Sequence, residues 1–303
     1  MADNCIDITV SIVNWNTRDE LLRCLETVTA QEGVSMEIIV VDNASSDSSA
    51  EAVAEKFPQI RFIANSKNVG FSKAQNQAIR ESNSRYVMLL NPDALIHDRD
   101  TLAKIIEFAD ANQDVGIIGP KIENPDGSLQ FSARRFPSIG TGLFRRTPLG
   151  RLFPNNRYVR SYIMADWKHD EVRDVDWVSG AALVIRRKTI DDIGLLDPGF
   201  FMYCEDVDWA YRANKKGWRV TYYPMTKVTH RIGSASDQVP IKMIIQFHRS
   251  MFRFYLKHYA KGLAALLTPV VLAGLTARAV FFVILTKVPI SQQAHDGGER
   301  LVR

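Results

Sequence analysis

Over its first ninety or so residues the chain alternates short apolar, β-branched runs with stretches of helical periodicity, and three of the runs stop abruptly at Asn or Asp. The first run, residues 8–14, is followed by Leu21, Leu22, Leu25 and Val28 at the three- and four-residue spacing of one helix face. A second run over 36–41 ends in Asp42-Asn43-Ala44-Ser45-Ser46-Asp47, after which a helical pattern resumes to Lys56. A short strand over 60–64, a helix beginning near Gly70 and a buried strand over 86–90 complete the series. Such alternation predicts an α/β fold, a mostly parallel central sheet with helices on both faces. Ligands of these sheets bind beyond the carboxyl ends of the strands. The residues that close the strands, Asn14, Asp42 and Asn91 to Asp93, are therefore expected along one edge.

The periodicity fades over 131–174, where Pro137, Gly140, Gly142, Pro148, Gly150 and Pro154 stand among many arginines. A stretch this long inside a domain reads as a functional loop. Order returns with a predicted strand over 175–185, a helix over 205–216 stopped by Gly217, and strands over 219–223 and 228–230. Residues 263–285 are apolar apart from Thr268, Thr276 and Arg278. A spanning helix needs about 20 apolar residues, and an arginine near its centre costs about 3 kcal/mol. Ahead of it, Lys242, His248, Arg249, Arg253, Lys257, His258 and Lys261 alternate with apolar residues, a pattern suited to an anionic lipid surface. Three readings stand: two helices closing the core, attachment in the plane of a membrane, or a span. The chain divides on this basis into a main unit, 1–236, and a C-terminal helical, membrane-associating segment, 237–303.

Composition narrows the function. Lys and Arg number 38 against 34 Asp and Glu, so the net charge of +4 is too small for a nucleic-acid footprint. Cys5, Cys24 and Cys204 are an odd number set far apart, which argues against a disulfide framework and for a reducing compartment. The opening residues are neither basic nor apolar, so no secretory signal is expected and the predicted location is the cytoplasm. No G-x-G-x-x-G follows the first strand and no P-loop occurs, which disfavours a dinucleotide-dependent oxidoreductase. A sugar nucleotidyltransferase would want a glycine-rich loop where this chain has Asn14-Trp15-Asn16-Thr17-Arg18.

Three clusters bear reactive side chains. Asn91-Pro92-Asp93 follows Val87-Met88-Leu89-Leu90. A carboxylate fixed at a strand end can hold Mg²⁺ or Mn²⁺, whose octahedron is completed by phosphate oxygens and water, and the same tripeptide is good turn chemistry. Glu205, Asp206 and Asp208 begin a helix among Phe200, Phe201, Tyr203, Trp209 and Tyr211. Acids there suit the positive end of the helix dipole, and Asp208 with Arg212 is an ordinary i,i+4 pair. Crowded carboxylates beside apolar rings also tend toward a raised pKa, as a general base working near neutral pH requires. His230 closes a short strand and is either structural or a ligand completing the coordination of a metal held by Asp93.

Taken in order, these motifs resemble those of the family 2 glycosyltransferases, inverting enzymes of GT-A fold, and within them the rhamnosyltransferase-like branch that builds bacterial cell-surface polysaccharides. Val10 to Asn16 resembles the opening strand, Val40 to Asp47 the nucleotide-binding turn, and Asn68-Val69-Gly70-Phe71 with Ala74 and Asn76 the next helix start. Asn91-Pro92-Asp93 occupies the place of the DxD metal motif, Trp177-Val178-Ser179-Gly180-Ala181 resembles the acceptor-side strand, and Glu205-Asp206 the motif holding the base. The resemblance runs from about residue 8 to 232.

It implies a single displacement at the anomeric carbon of a nucleotide-diphospho-sugar. Asp42 would accept a hydrogen bond from the nucleotide base, with Asn14 and Asn43 lining the pocket and Gly70 and Asn91 beside the nucleotide sugar. Asp93, with His230, would hold a divalent metal, Mg²⁺ or Mn²⁺, against the leaving diphosphate. Asp206 would deprotonate the acceptor hydroxyl in preference to Glu205, oriented by Asp208 and Arg212. Trp177, next to Gly180 on the acceptor side, would stack on a sugar or fill the core. Because Asn91 replaces the first acid of the motif, His230 and the diphosphate would carry more of the metal. The donor suggested is a deoxysugar on thymidine diphosphate, L-rhamnose first, with UDP-hexoses as alternative. The acceptor suggested is glycan on a polyprenyl diphosphate at the inner face of the cell membrane. A catalytically silent scaffold of the same fold would be suggested by loss of Asp93 or Asp206, and both are present. A processive synthase would need several spans, and the sequence offers at most one.

Overall fold

A computed structural model describes residues 6–231 and 233–286. The chain begins with β1 (Ile6–Asn14), α1 (Arg18–Thr29), β2 (Met36–Asp42), α2 (Ser49–Lys56), β3 (Arg61–Ala64), α3 (Phe71–Glu81) and β4 (Ser84–Leu90). It continues with β5 (Ala94–Ile96), α4 (Thr101–Ala111), β6 (Val115–Glu123) and β7 (Ala133–Arg134), then three short helices, α5 (Ile139–Phe144), α6 (Pro148–Leu152) and α7 (Arg157–Tyr162). There follow β8 (Arg173–Asp174), β9 (Trp177–Val178), β10 (Ala182–Arg186), α8 (Arg187–Ile193), α9 (Glu205–Lys215) and β11 (Arg219–His230). A long helix α10 (Pro240–His258), a 3₁₀ segment (Gly262–Leu267) and α11 (Thr268–Thr286) come last.

The central sheet runs β3-β2-β1-β4-β10-β6-β11-β5, with β8 also pairing β11. β3, β2, β1, β4, β6 and β11 share one direction, while β10, β5 and β8 run against them, so the sheet is mostly parallel as expected. Alternate residues of β1 serve opposite faces. Ile8, Val10 and Ile12 pack with Leu21 and Leu25 of α1, Val53 of α2 and Ile105 of α4. Val87 and Leu89 of β4 look the other way, toward Ile190 of α8 and Trp209 of α9. α3 covers β1 and β2 on that second side, where Ala74 and Ala78 meet Val13, Ile39 and Val41.

Three stretches differ from the sequence expectation. The run 175–185 is two strands in two sheets, since β9 pairs β7 in a separate ribbon while β10 joins the main sheet. The break falls at Gly180, whose N–H is taken by the Asp206 carboxylate at 2.9 Å instead of a strand partner. Conversely, 219–230 is one strand with a register shift between Tyr223 and Lys227. The loop 131–174 carries short helices capped by Ser138, Thr147 and Asn156.

The basic face expected to meet lipid needs correcting for α10, because several of its cations are turned onto the protein. Arg253 and Lys257 pair with Asp197, and Lys257 and His258 reach Asp208. Arg278 of α11 likewise faces inward, donating to His248 Nε2 at 3.1 Å and the Arg145 carbonyl at 3.3 Å. Residues Gly262–Thr286 are long and apolar enough to cross a membrane, and only Phe282 among those of α11 is buried.

Gly70 opens α3 at φ +89°, and a Cβ there would stand 2.6 Å from the Phe201 ring and 2.7 Å from the Phe201 carbonyl oxygen. That oxygen accepts the Phe71 N–H at 2.7 Å, locking α3 to the loop before α9. Gly70→Ala is expected to lower unfolding free energy by about 2–3 kcal/mol, since neither the left-handed backbone nor the carbonyl can yield. Urea denaturation of the two proteins checks this.

Candidate active site

The parallel strands β1, β2 and β4 end side by side, with Asn14 in register with Asp42. Asn14 is fully buried and donates through Nδ2 to Asp42 Oδ1 at 2.8 Å, while Thr17 holds its Oδ1 at 2.7 Å. Asp42 also accepts the Ser45 hydroxyl at 2.6 Å and the Ser45 N–H at 2.8 Å. The carboxylate is thus fixed by donors from two strand ends and one turn. Asn43 is turned sideways, its Oδ1 accepting Asn65 Nδ2 at 3.1 Å and the Val69 N–H at 3.4 Å, so it braces the loop ahead of α3. Gly70 sits one step further on, against Phe201.

Beyond β4, the Asn91 N–H donates to the Ala181 carbonyl at 2.9 Å, tying the end of β4 to the start of β10. Asp93 and His230, 137 positions apart, meet there with Oδ1 and Nε2 separated by 3.2 Å. Gln130 fixes the imidazole, because its amide nitrogen donates to Asn124 Oδ1 and the His230 carbonyl, leaving its Oε1 to accept from Nδ1 at 3.1 Å. With the ring proton on Nδ1, Nε2 presents a lone pair, toward which Asn91 Nδ2 points at 3.2 Å. A lone pair and a carboxylate oxygen this close call for a cation between them, either a proton or a metal ion. Two ligands at right angles on an ion with bonds of about 2.1 Å sit about 3 Å apart. The pair therefore fits a divalent cation as a two-point partial site. No third His, Cys, Asp or Glu joins it among the described residues, which leaves room for phosphate oxygens.

The acidic start of α9 lies next to this edge. Tyr203 and Cys204 both adopt left-handed backbone, at φ +70° and +65°, a conformation costing roughly 1–3 kcal/mol per residue outside glycine. The Met202 carbonyl between Phe201 and Tyr203 is held by the Ser250 hydroxyl of α10 at 2.7 Å. This kink aims Asp206 at β9 and β10, where it accepts the Gly180 N–H at 2.9 Å, and its own helix supplies the Val207 N–H at 2.8 Å. Burial raises the Asp206 carboxyl above its ordinary value, against the opposing pull of these two amides and of the Arg134 charge. Glu205 is raised further, by burial and by the neighbouring Asp206 charge, and its Oε2 has no partner among the described residues. Of the two, Asp206 is the one whose carboxylate is held by backbone donors, from Gly180 and Val207.

Asp208 behaves oppositely. It is fully buried, yet His258 donates to it at 2.7 Å, Lys257 at 2.7 Å and Arg212 at 2.9 Å, and these outweigh burial to lower its pKa. Arg212 continues to the carbonyls of Ile193, Gly194 and Leu195. The sequence identified Arg212 but not Lys257 or His258, which arrive from α10 some fifty residues downstream.

Of the two roles expected for Trp177, stacking on a sugar or filling the core, the structure places it in the core. It is 6 % exposed, its Nε1 donates to the Arg135 carbonyl at 2.8 Å, and its ring is covered by Arg134 and Tyr162. No ring face is left for stacking. Gly180, in contrast, touches Asp206, its ideal Cβ position lying 3.4 Å from Asp206 Cβ.

A family model described as Glycosyl transferase family 2 matches residues 9–167. The chain is 28% identical, over 81% of its length and 82% of the relative's, to N-acetylglucosaminyl-diphospho-decaprenol L-rhamnosyltransferase of Mycobacterium tuberculosis. It is 25% identical to rhamnosyltransferase WbbL of Escherichia coli, over 73% of this chain and 82% of the relative. Among solved structures, a Pyrobaculum calidifontis mannosyltransferase in complex with GDP-mannose and Mn²⁺ superposes with a TM-score of 0.58 at 17% identity, covering 95% of this chain and 77% of that one. Staphylococcus aureus TarS 1-349 gives 0.55 at 15% identity with the same coverage. The fold is GT-A.

Asp208→Asn is expected to cost about 2–4 kcal/mol, because Lys257, His258 and Arg212 lose the charge that holds them together. A lower urea midpoint with an unchanged slope is the result that bears this out.

Proposed function

The chain belongs to glycosyl transferase family 2, and from that premise we propose that it is an inverting transferase moving one sugar from a nucleoside diphosphate to a lipid-linked glycan. The observation that carries this is the pairing of Asp93 and Asp206 across the Asn91–Ala181 contact, one beside a cation site and the other beside Gly180. An inverting displacement needs that separation of duties, positive charge at the leaving group and a base on the opposite face.

Asp42 and Asn14, already locked to each other, receive the nucleotide base. Asp93 and His230 would hold the divalent ion, Mg²⁺ or Mn²⁺, which when bound supplies charge against the departing diphosphate. Asp206 takes the proton of the acceptor hydroxyl as its oxygen bonds to the anomeric carbon. The bond from that carbon to the diphosphate breaks on the other side, and the nucleoside diphosphate leaves with the electron pair. The names of the relatives support L-rhamnose as the sugar and a polyprenyl diphosphate as the acceptor's carrier. The apolar, outward residues of α11 support work at a membrane surface.

Two measurements test the reading. Saturation binding of dTDP-rhamnose, UDP-glucose and UDP-GlcNAc, with and without Mn²⁺, should give metal-enhanced binding of one donor, dTDP-rhamnose, lost in Asp93→Ala. Binding of none would favour a catalytically silent scaffold. For the base, the raised Asp206 pKa places the acid limb of kcat/KM above the ordinary carboxylate value of about 4, activity falling as pH drops through it. Asp206→Asn should abolish transfer and leave donor binding intact, and a limb at or below the ordinary value would assign the base elsewhere.

A further inference from the structure

Arg134 has no part in the reaction as derived so far, yet it stands at the edge of the base. It lies on β7 in register with Trp177 of β9, and its guanidinium carbon is 5.2 Å from the Trp177 ring and 5.6 Å from the Tyr162 ring. Its Nε is committed to the Phe131 carbonyl at 2.6 Å. Two aromatic contacts and one hydrogen bond fix the plane of the group, while its terminal nitrogens have no acceptor among the described residues. No carboxylate of those residues comes within ion-pair distance of it, in contrast to Arg135, which pairs with Asp176 at 3.3 Å. A guanidinium fixed by its faces and open along its edge is suited to bidentate contact with phosphate oxygens.

What lies outward of Arg134 indicates whose phosphate. On Tyr162 a second arginine, Arg145, rests 5.0 Å from the ring. Past it, α5 to α7 expose Leu143, Leu149, Leu152 and Phe153, and Phe144, Phe153 and Tyr158 line an open cleft of about 470 Å³. Residues 127–165 contain seven arginines and no Asp or Glu. From Asp206 outward the surface therefore passes from base to fixed cation to apolar cleft, the order of hydroxyl, diphosphate and hydrocarbon in an isoprenoid-linked sugar. The donor's diphosphate belongs instead at the ends of the main sheet, beside Asp93, and Arg134 is on the separate β7–β9 ribbon.

We propose that Arg134 is a binding residue for the diphosphate of an isoprenoid-diphosphate acceptor, with the hydrocarbon continuing over the α5–α7 cleft. The assignment deepens the transferase reading above and rests on it for the orientation of the sugar.

The test is calorimetric titration of the full chain with farnesyl diphosphate, and separately with dTDP, for the wild type, Arg134→Ala, Arg134→Gln and Arg134→Lys. Farnesyl diphosphate should bind the wild type, bind Arg134→Ala and Arg134→Gln about tenfold more weakly or worse, and recover in part with lysine, which restores charge without the fork. dTDP affinity should stay within about twofold in all four, which also reports that each variant is folded. Unchanged farnesyl diphosphate binding in Arg134→Gln, or no binding by the wild type, overturns the proposal. A parallel loss of dTDP affinity in variants of unaltered circular dichroism overturns it in favour of the donor's diphosphate. Arg134-dependent binding in a wild type that transfers no sugar to a lipid-linked acceptor would leave this site standing and remove the transferase reading.

Discussion

Three carboxylates in the first turn of one helix repel one another, and the fold of the C-terminal half follows from how that repulsion is relieved. Asp208 is drawn into the protein and surrounded by His258, Lys257 and Arg212, so it stays ionised without water. Those cations come mainly from α10, which is why a helix forty residues downstream must lie against α9. Arg253 and Lys257 extend the same attachment to Asp197, whose carboxyl they pull down to about 2 against the opposing effect of its burial. None of this positive charge is directed at Glu205 or Asp206. With that counter-charge held at Asp208, burial keeps these two raised, opposed at Asp206 by two backbone amides and the Arg134 charge.

The half of the site proposed to face the donor was legible in the sequence because it is built from strand ends. Asn14, Asp42 and Asn91 each close an apolar run, and parallel pairing brings such positions together whatever the packing outside. The association of Asp93 with His230 was expected only from their ligand chemistry; the antiparallel pairing of β5 with β11 that brings them together was not foreseen. The half that faces the acceptor was not legible in the same way. Trp177 suited a sugar platform or the core equally, and the residues that decide for the core, Tyr162 and Arg134, are distant in sequence. The strand over 175–185 looked continuous because no proline interrupts it and most of its residues are apolar, and only the distant Asp206 reveals why the chain breaks at Gly180. Lys257 and His258 carried a basic periodicity that amphipathic lipid binding and helix docking satisfy equally, and the partner that decides between them, Asp208, is fifty positions away.

The strain ahead of α9 belongs to the same arrangement. Left-handed Tyr203 and Cys204 have no glycine to ease them, and the neighbouring chain is held from two sides, by Phe71 on the Phe201 carbonyl and by Ser250 on that of Met202. Gly70, which sequence reasoning assigned to the nucleotide, serves this end as well, because only a residue without Cβ lets α3 approach Phe201. The loop is thereby set by one helix from the donor side and one from the C-terminal segment. A shift of α10 would move Met202, Asp208 and Asp197 together.

That coupling gives the position of Arg278 its meaning. An arginine at the centre of an apolar helix counted against α11 as a span, yet the side chain points to His248 and the Arg145 carbonyl, between α10 and α5. Two of its nitrogens bond to neutral protein acceptors, and Val270, Leu272, Val280 and Ile284 are left outward without a charge among them. The same contact joins α11 to the arginine-rich segment that borders Tyr162 and Arg134. An acceptor whose hydrocarbon lies in a bilayer and whose sugar must reach Asp206 needs the apolar face, the cationic stretch and the base in fixed relative positions. Here α10 fixes the helix of Asp206 to α11 from behind, through Asp208, while Arg278 and Arg145 fix α11 to the proposed acceptor side in front.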